Sequence, residues 1–195
     1  AGAEERGRVE AVRVTGRPEL PGQDVAPWGY GDDFSREGLP PLLAELVERT
    51  AALPLGLGAL RDVTVNYRSG GFFQLDPHVD PFSDGENVLI VSLLSDTCIT
   101  FTPYLHNEAP RQSPEEVAMK SWSDDDIDCL LKRRWLVHFC GDARRKLKHA
   151  IRPGLLVEQP GGEEGVCDWW GSPKTMLFRR NPERISVVMA FGTPT

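Results

Sequence analysis

The chain has 195 residues, of which 40% are hydrophobic and 26% charged, and its formal net charge is -7. That is about one domain at the usual roughly 100–200 residues per domain, with enough apolar side chains to rule out global disorder. The acidic balance excludes a generic basic coat protein for nucleic acid, and no apolar run approaches the roughly 18 residues that span a bilayer.

The 19 glycines and 16 prolines predict many turns and short elements rather than a helix bundle. No signal-peptide pattern opens the chain. Residues 1–40 read as extended and loopy, with an aromatic cluster at Trp28, Tyr30 and Phe34. A helix starts at Pro40-Pro41, carries the stripe Leu42, Leu43, Leu46, Val47, Thr50 and Leu53, and stops at Pro54.

From Asp62 the period changes to that of strands. Candidates are Val63 to Tyr67, Phe73 to Val79, Asn87 to Leu93 and Cys98 to Tyr104. The nearly continuous apolar run Asn87 to Leu93 predicts a strand covered on both faces. Ser113-Pro-Glu-Glu116 has capping-box spacing and predicts a short helix. Ile127 to Leu131 and Trp135 to Cys140 read as a strand pair around the basic turn Lys132-Arg133-Arg134. Lys148 to Arg152 and Arg184 to Phe191 are the last strand candidates. Pro153 to Pro182 reads as an inserted segment.

Roughly eight short strands after a helix predict an all-β core with flanking helices, an α+β arrangement built on a double-stranded β-helix or jelly roll. Residues 1–61 would form an N-terminal extension with a supporting helix and substrate-recognition loops. Residues 62–195 would form the core.

Four scattered cysteines without a CxxC pair exclude a zinc ribbon and a disulfide scaffold. They point to free thiols in a reducing compartment, cytoplasmic or nuclear.

The sharpest chemical signal is Asp76-Pro-His78-Val-Asp80. Residues i and i+2 of a strand point to one side, so His78 and Asp80 can share a metal. A second histidine would complete the facial triad of a non-haem Fe(II) centre. On these residues alone, a turn-capping role for Asp80 stays open. His138 reads as a packed strand residue and His106 as a solvated loop residue.

Downstream stand Gly141-Asp-Ala-Arg144, Lys148-His-Ala-Ile151 and Arg184-Ile-Ser186. The order Tyr, HxD, GxAR, HAI, RxS resembles the AlkB family of Fe(II)/2-oxoglutarate dioxygenases, over about Asp62 to Phe191. The resemblance implies that His78, Asp80 and His149 bind Fe(II). It implies that Tyr67, Asn66, Arg184 and Ser186 bind 2-oxoglutarate, with Arg184 on its distal carboxylate. A guanidinium suits that task because it stays charged and pairs a carboxylate bidentately. Trp169, Trp170 and Arg144 are candidates for substrate contact, with a packing clamp and a structural turn as their plainer readings.

The implied reaction is oxidative N-demethylation, releasing succinate, CO2 and formaldehyde. The expected partners are methylated DNA or RNA, with methyl-lysine in a protein as the alternative and no membrane. Asn66 departs from the family pattern by standing next to Tyr67. Ala190 departs by standing where a second arginine is usual, six residues after Arg184. The latter keeps a weakly active binding module open, and a cupin-like metal protein is open if Arg184 turns away from the metal.

The charges fall in blocks. Lys132 to Arg152 holds eight Lys or Arg and one Asp, whereas Glu108 to Asp128 holds seven acids and two bases. The basic block leads into the metal motif and suits a phosphate backbone. The overall acidity suits a protein substrate.

Overall fold

The computed structural model describes residues 11–18, 24–71, 73–103, 125–158, 160–170 and 175–194. In chain order it contains β1 (Ala11–Thr15), α1 (Pro41–Ala51), β2 (Leu60–Arg68), β3 (Leu75–His78) and β4 (Asn87–Leu93). There follow β5 (Thr97–Pro103), β6 (Ile127–Leu131), β7 (Leu136–Phe139), α2 (Gly141–Arg145) and β8 (Leu147–Ile151). The chain ends with β9 (Leu155–Glu158), β10 (Glu164–Trp170), β11 (Thr175–Arg179) and β12 (Arg184–Phe191). The predicted helix at Ser113–Glu116 lies outside the described residues.

All described strand pairs are antiparallel. A five-stranded sheet runs β1-β2-β12-β4-β7, and a four-stranded sheet runs β3-β8-β5-β6. A three-stranded sheet runs β11-β10-β9. The fold is therefore a mostly β core with two flanking helices among the described residues. No described helix is long and apolar enough to cross a membrane.

The centre of the large sheet is apolar on both faces, as the run Asn87 to Leu93 predicts. On β4, Leu89 and Val91 pack with Val187, Met189 and Phe191 of β12 toward α1. Val88 and Ile90 point the other way, against Ile99, Phe101 and Ile151 of the four-stranded sheet. Each such side chain contributes about 1.5–3 kcal/mol on burial. Trp28 closes the helix side, donating its indole N–H to the Val63 carbonyl at 2.9 Å.

The stripe of α1 is Leu43, Leu46, Val47 and Thr50. Leu42 is 82% exposed, because it sits about 100° around the helix from that stripe.

Two expectations need correction, and one segment gains its structure. β6 and β7 are not a hairpin: β6 pairs with β5 in one sheet and β7 with β4 in the other. Arg134 takes the left-handed φ of 67° and donates its N–H to the Ser92 carbonyl, which carries the chain across. The segment read as an insertion, Pro153 to Pro182, builds β9, β10 and β11. Residues 11–15, read as extended and loopy, form a paired strand on the edge of β2. Both segments are edge or satellite strands whose pairing supplies the order that their weak alternation does not.

Candidate metal centre

His78 ends β3 and His149 lies on β8, and the two are register partners across the antiparallel pair. Their ring centroids are 4.2 Å apart. Asp80, two residues past His78, places one carboxylate oxygen 3.5 Å from His78 Nε2 and the other 3.8 Å from His149 Nε2. One ligand atom from each of the three residues lies within 4.8 Å of the others. Local structure sets this up: a 3-10 turn, Phe82–Asp84, follows Asp80, and Gly85 (φ 101°) then passes so close to the Phe191 carbonyl that no Cβ would fit.

The protonation states suit a metal. His78 Nδ1 lies 2.7 Å from the Asp76 carbonyl, which only accepts, so Nδ1 carries the proton and Nε2 is free to ligate. His149 is buried against Phe139 and Phe101. Burial first, and then the neighbouring His78, push its pKa down to about 3, so the ring is neutral at ordinary pH. Burial opposes the charge of Asp80, but the two histidines and Arg144 outweigh it and hold the carboxyl below the usual range. Asp80 Oδ2 is buried without a hydrogen-bond partner. With an orphaned carboxylate oxygen beside His149 and two neutral-capable imidazoles, the three residues could hold a metal ion.

The triad lines a cavity of about 160 Å³. Arg184, Ser186 and Asn66 line the same cavity. Arg184 and Ser186 share one face of β12, and Asn66 is the register partner of Ser186 on β2. Arg184 is buried and donates to Ser186 Oγ at 3.1 Å, while its Nε has no partner. No described carboxylate pairs with it. Burial, followed by the charges of Arg68 and Arg180, lowers its pKa to about 10, which leaves it cationic at neutral pH. A buried cation without a counter-ion costs several kcal/mol, a cost that a bound anion would offset.

Three other expected residues are held by protein partners. Tyr67 lines the cavity beside Asn66, with its hydroxyl donated to Glu183 at 2.8 Å. Arg144 is buried in α2 and donates to the carbonyls of Asp80 and Pro81 at 2.9 and 2.6 Å. It holds the ligand turn and is too deep for substrate contact. Trp169 is buried, donates to the Pro153 carbonyl and carries the Arg152 guanidinium on its ring at 4.5 Å. It packs the inserted sheet onto the core, so the substrate reading gives way to the clamp. The side chain of Trp170 lies outside the described residues. His138 is a strand residue as read, bonded to Asn87 at 2.9 Å.

Sequence reasoning missed Asp62, Asp84 and Arg17, which line the cavity beyond the triad. Asp62 was legible in principle, because Asp62, Thr64 and Asn66 alternate onto one strand face. Nothing in the sequence around Arg17 marks it. The chain matches no protein-family model, and no curated protein matches it significantly.

Proposed function

We propose that this chain is a jelly-roll Fe(II)/2-oxoglutarate-dependent dioxygenase that removes N-methyl groups from nucleic-acid bases by oxidation. The observation that carries the reading is one cavity holding both a His78-Asp80-His149 donor set and the buried, anion-less guanidinium of Arg184. The two apposed antiparallel sheets, with the chain crossing repeatedly between them, support the jelly roll. The four cysteines stand free, which supports a reducing compartment.

His78, Asp80 and His149 would hold the iron, and Arg184 with Ser186 and Asn66 would hold the distal carboxylate of 2-oxoglutarate. When bound, the iron and its co-substrate supply oxidation of the methyl group by O2, with succinate, CO2 and formaldehyde as products. The protein's part is orientation and exclusion of water. Phe101, Phe139 and Ile90 dry the wall behind the histidines, and Arg144 fixes the turn that carries Asp80.

A methyl-lysine substrate is the second reading. It is favoured by Asp62 and Asp84 in the cavity lining, with Tyr30 bonded to Asp84.

The test is succinate release from 2-oxoglutarate by Fe(II)-loaded protein, with methylated oligonucleotides and methyl-lysine peptides as separate arms. Stimulation by one class, lost in Asp80→Ala, is the expected result. Equal background in wild type and Asp80→Ala overturns the dioxygenase reading.

A further inference from the structure

We infer that the exposed turn Lys132-Arg133-Arg134-Trp135, between β6 and β7, is a docking surface for single-stranded nucleic acid. The inference goes beyond the dioxygenase reading and stands without it, since none of these four residues lines the cavity.

The turn lies at the end of the sheets away from the metal centre. Leu131, just before it, is the register partner of Thr97, whereas the ligand His149 is the register partner of Phe101. Those four residues of β5 span about 13 Å, at about 3.3 Å per residue. Gly85, just past the turn that carries Asp80, meets the Phe191 end of β12. Leu93, beside the basic turn, is the register partner of Ile185 at the other end.

Folding splits the basic block of the sequence. Arg144 donates to two carbonyls, Arg145 pairs with Glu86, and Lys146 pairs with Asp142 at 2.9 Å. Arg152 pairs with Asp128 at 3.0 Å, and Lys148 is 1% exposed. Only Lys132, Arg133 and Arg134 turn their charges outward. Among the described residues, neither Arg133 nor Arg134 has a side-chain partner. The Lys132 ammonium lies 5.2 Å from the centre of the Trp135 ring, which is 53% exposed. Asp96, the neighbouring acid, is engaged by the backbone, accepting the Arg133 N–H at 2.6 Å.

The backbone beneath this surface is held in a costly shape. Arg134 donates its N–H to the Ser92 carbonyl at 2.6 Å, and Ser92 donates its own to the Trp135 carbonyl at 3.1 Å. Arg134 (φ 67°) and Leu94 (φ 70°) are the two non-glycine residues with left-handed backbone among the described residues, and both sit in these bonded turns. Glycine would take either conformation at lower cost. What the two positions gain instead is a side chain at the surface, an arginine and a leucine that is 38% exposed. Backbone outliers gathered at one exposed place mark a contact site rather than a stability device.

Three cations and one open aromatic ring within four residues match the phosphates and an unstacked base of a single strand. Guanidinium pairs phosphate bidentately, and any base can stack on an indole. The net charge of -7 opposes a duplex, whose dense charge must approach more of the molecule, whereas a single strand can cross one turn. A bilayer needs an apolar face that enters the acyl boundary, but Trp135 is about half covered and lies under Lys132. An acidic peptide would meet the cations and leave the ring unused.

The test is fluorescence anisotropy of the full chain with a labelled, unmethylated oligothymidylate of about twelve nucleotides, within the usual span of such sites. A duplex of equal length, phosphatidylserine vesicles and polyglutamate are separate arms. The single strand is expected to bind most tightly. Its log affinity should fall with log salt at a slope of about -2, from about -0.7 for each of three phosphates. Trp135→Ala should weaken binding about tenfold at an unaltered slope. Arg133→Gln should make the slope shallower by about 0.7, and serves where Trp135→Ala fails to fold. Arg134→Gly should weaken binding while the melting temperature holds or rises, a pairing of effects that a structural role does not give. No binding by wild type, wild-type binding by the folded variants, or tighter binding of the duplex, vesicles or polyglutamate overturns the surface. Binding lost in the turn variants, with no succinate released by wild type under Fe(II), leaves the surface standing and overturns the dioxygenase reading. Succinate release with unchanged binding in the turn variants does the reverse.

Discussion

His78 and His149 face each other across β3 and β8 as register partners, with 4.2 Å between ring centroids. Two histidines this close are tolerable because His149 is buried and neutral, its pKa pushed down to about 3 by burial and then by His78. In the unfolded chain the same ring titrates near 6.5. The unfolded state therefore binds the extra proton between about pH 6.5 and about pH 3, so stability is lost as pH falls through that window. Metal-free protein is expected to lose up to about 1.4 kcal/mol per pH unit from this group. Denaturant melts at pH 7, 6 and 5 measure it. His149→Gln should show the shallower dependence, and equal slopes would mean that His149 does not set the acid sensitivity.

Arg184 is the buried cation on which the proposed co-substrate anchor rests. It is buried on β12 with one hydroxyl partner and a free Nε. Arg184→Met should unfold no more easily than wild type, since replacing a buried unpaired charge by an apolar side chain of similar length removes a desolvation cost. The same variant should bind 2-oxoglutarate at least about a hundredfold more weakly, and Arg184→Lys should recover only part of that loss because it cannot pair bidentately. Calorimetric titration of the Mn(II)-loaded proteins checks both. Unaltered affinity in Arg184→Met would remove it as the co-substrate anchor.

The legible part of this protein was what repeats locally. The nearly continuous apolar run Asn87 to Leu93 and the strand run Arg184 to Phe191 give two central strands with the bounds the structure shows, because both are buried on both faces of the sheet. The HxD spacing and a later histidine name three side chains that the fold does bring together. What did not show is pairing at a distance. β6 and β7 look like a hairpin by proximity, yet each finds its partner in a different sheet. Tyr67 lines the cavity as its place in the motif suggests, yet its hydroxyl is donated to Glu183, a partner 116 residues away that no local pattern marks. Arg17 joins Asp62 and Asp84 from 45 and 67 residues away, which no local pattern encodes.

Arg144 should act on the metal without touching it. Its two hydrogen bonds go to the carbonyls of Asp80 and Pro81, the turn that presents the carboxylate ligand. Arg144→Met is expected to lower Mn(II) affinity about 10–100-fold, the usual effect of losing a group that orients a ligand. Arg144→Lys, which can keep one of the two bonds, should fall between. The readout is metal titration rather than turnover, and unchanged affinity with a lowered melting temperature would assign Arg144 to stability alone.

Asp168 and Arg180 join the three-stranded sheet to the core through a fully buried ion pair at 2.9 Å. Asp168 also accepts from the Thr97 hydroxyl and the Cys98 N–H of β5. Arg180 also donates to the carbonyls of Gly71, Phe73 and Arg152. Between them, the donors and acceptors of three chain segments converge on one pair of charges. Removing one partner strands the other in the interior, which costs about 3–5 kcal/mol. Asp168→Asn keeps the shape and should show most of that loss in denaturant unfolding. Arg180→Met should lose at least as much, because it also orphans three carbonyls. The double variant should be less destabilised than the sum of the two, since no unpaired charge remains. Strict additivity would mean that the two residues act independently, and that the inserted sheet is held by Trp169 and Arg152 instead.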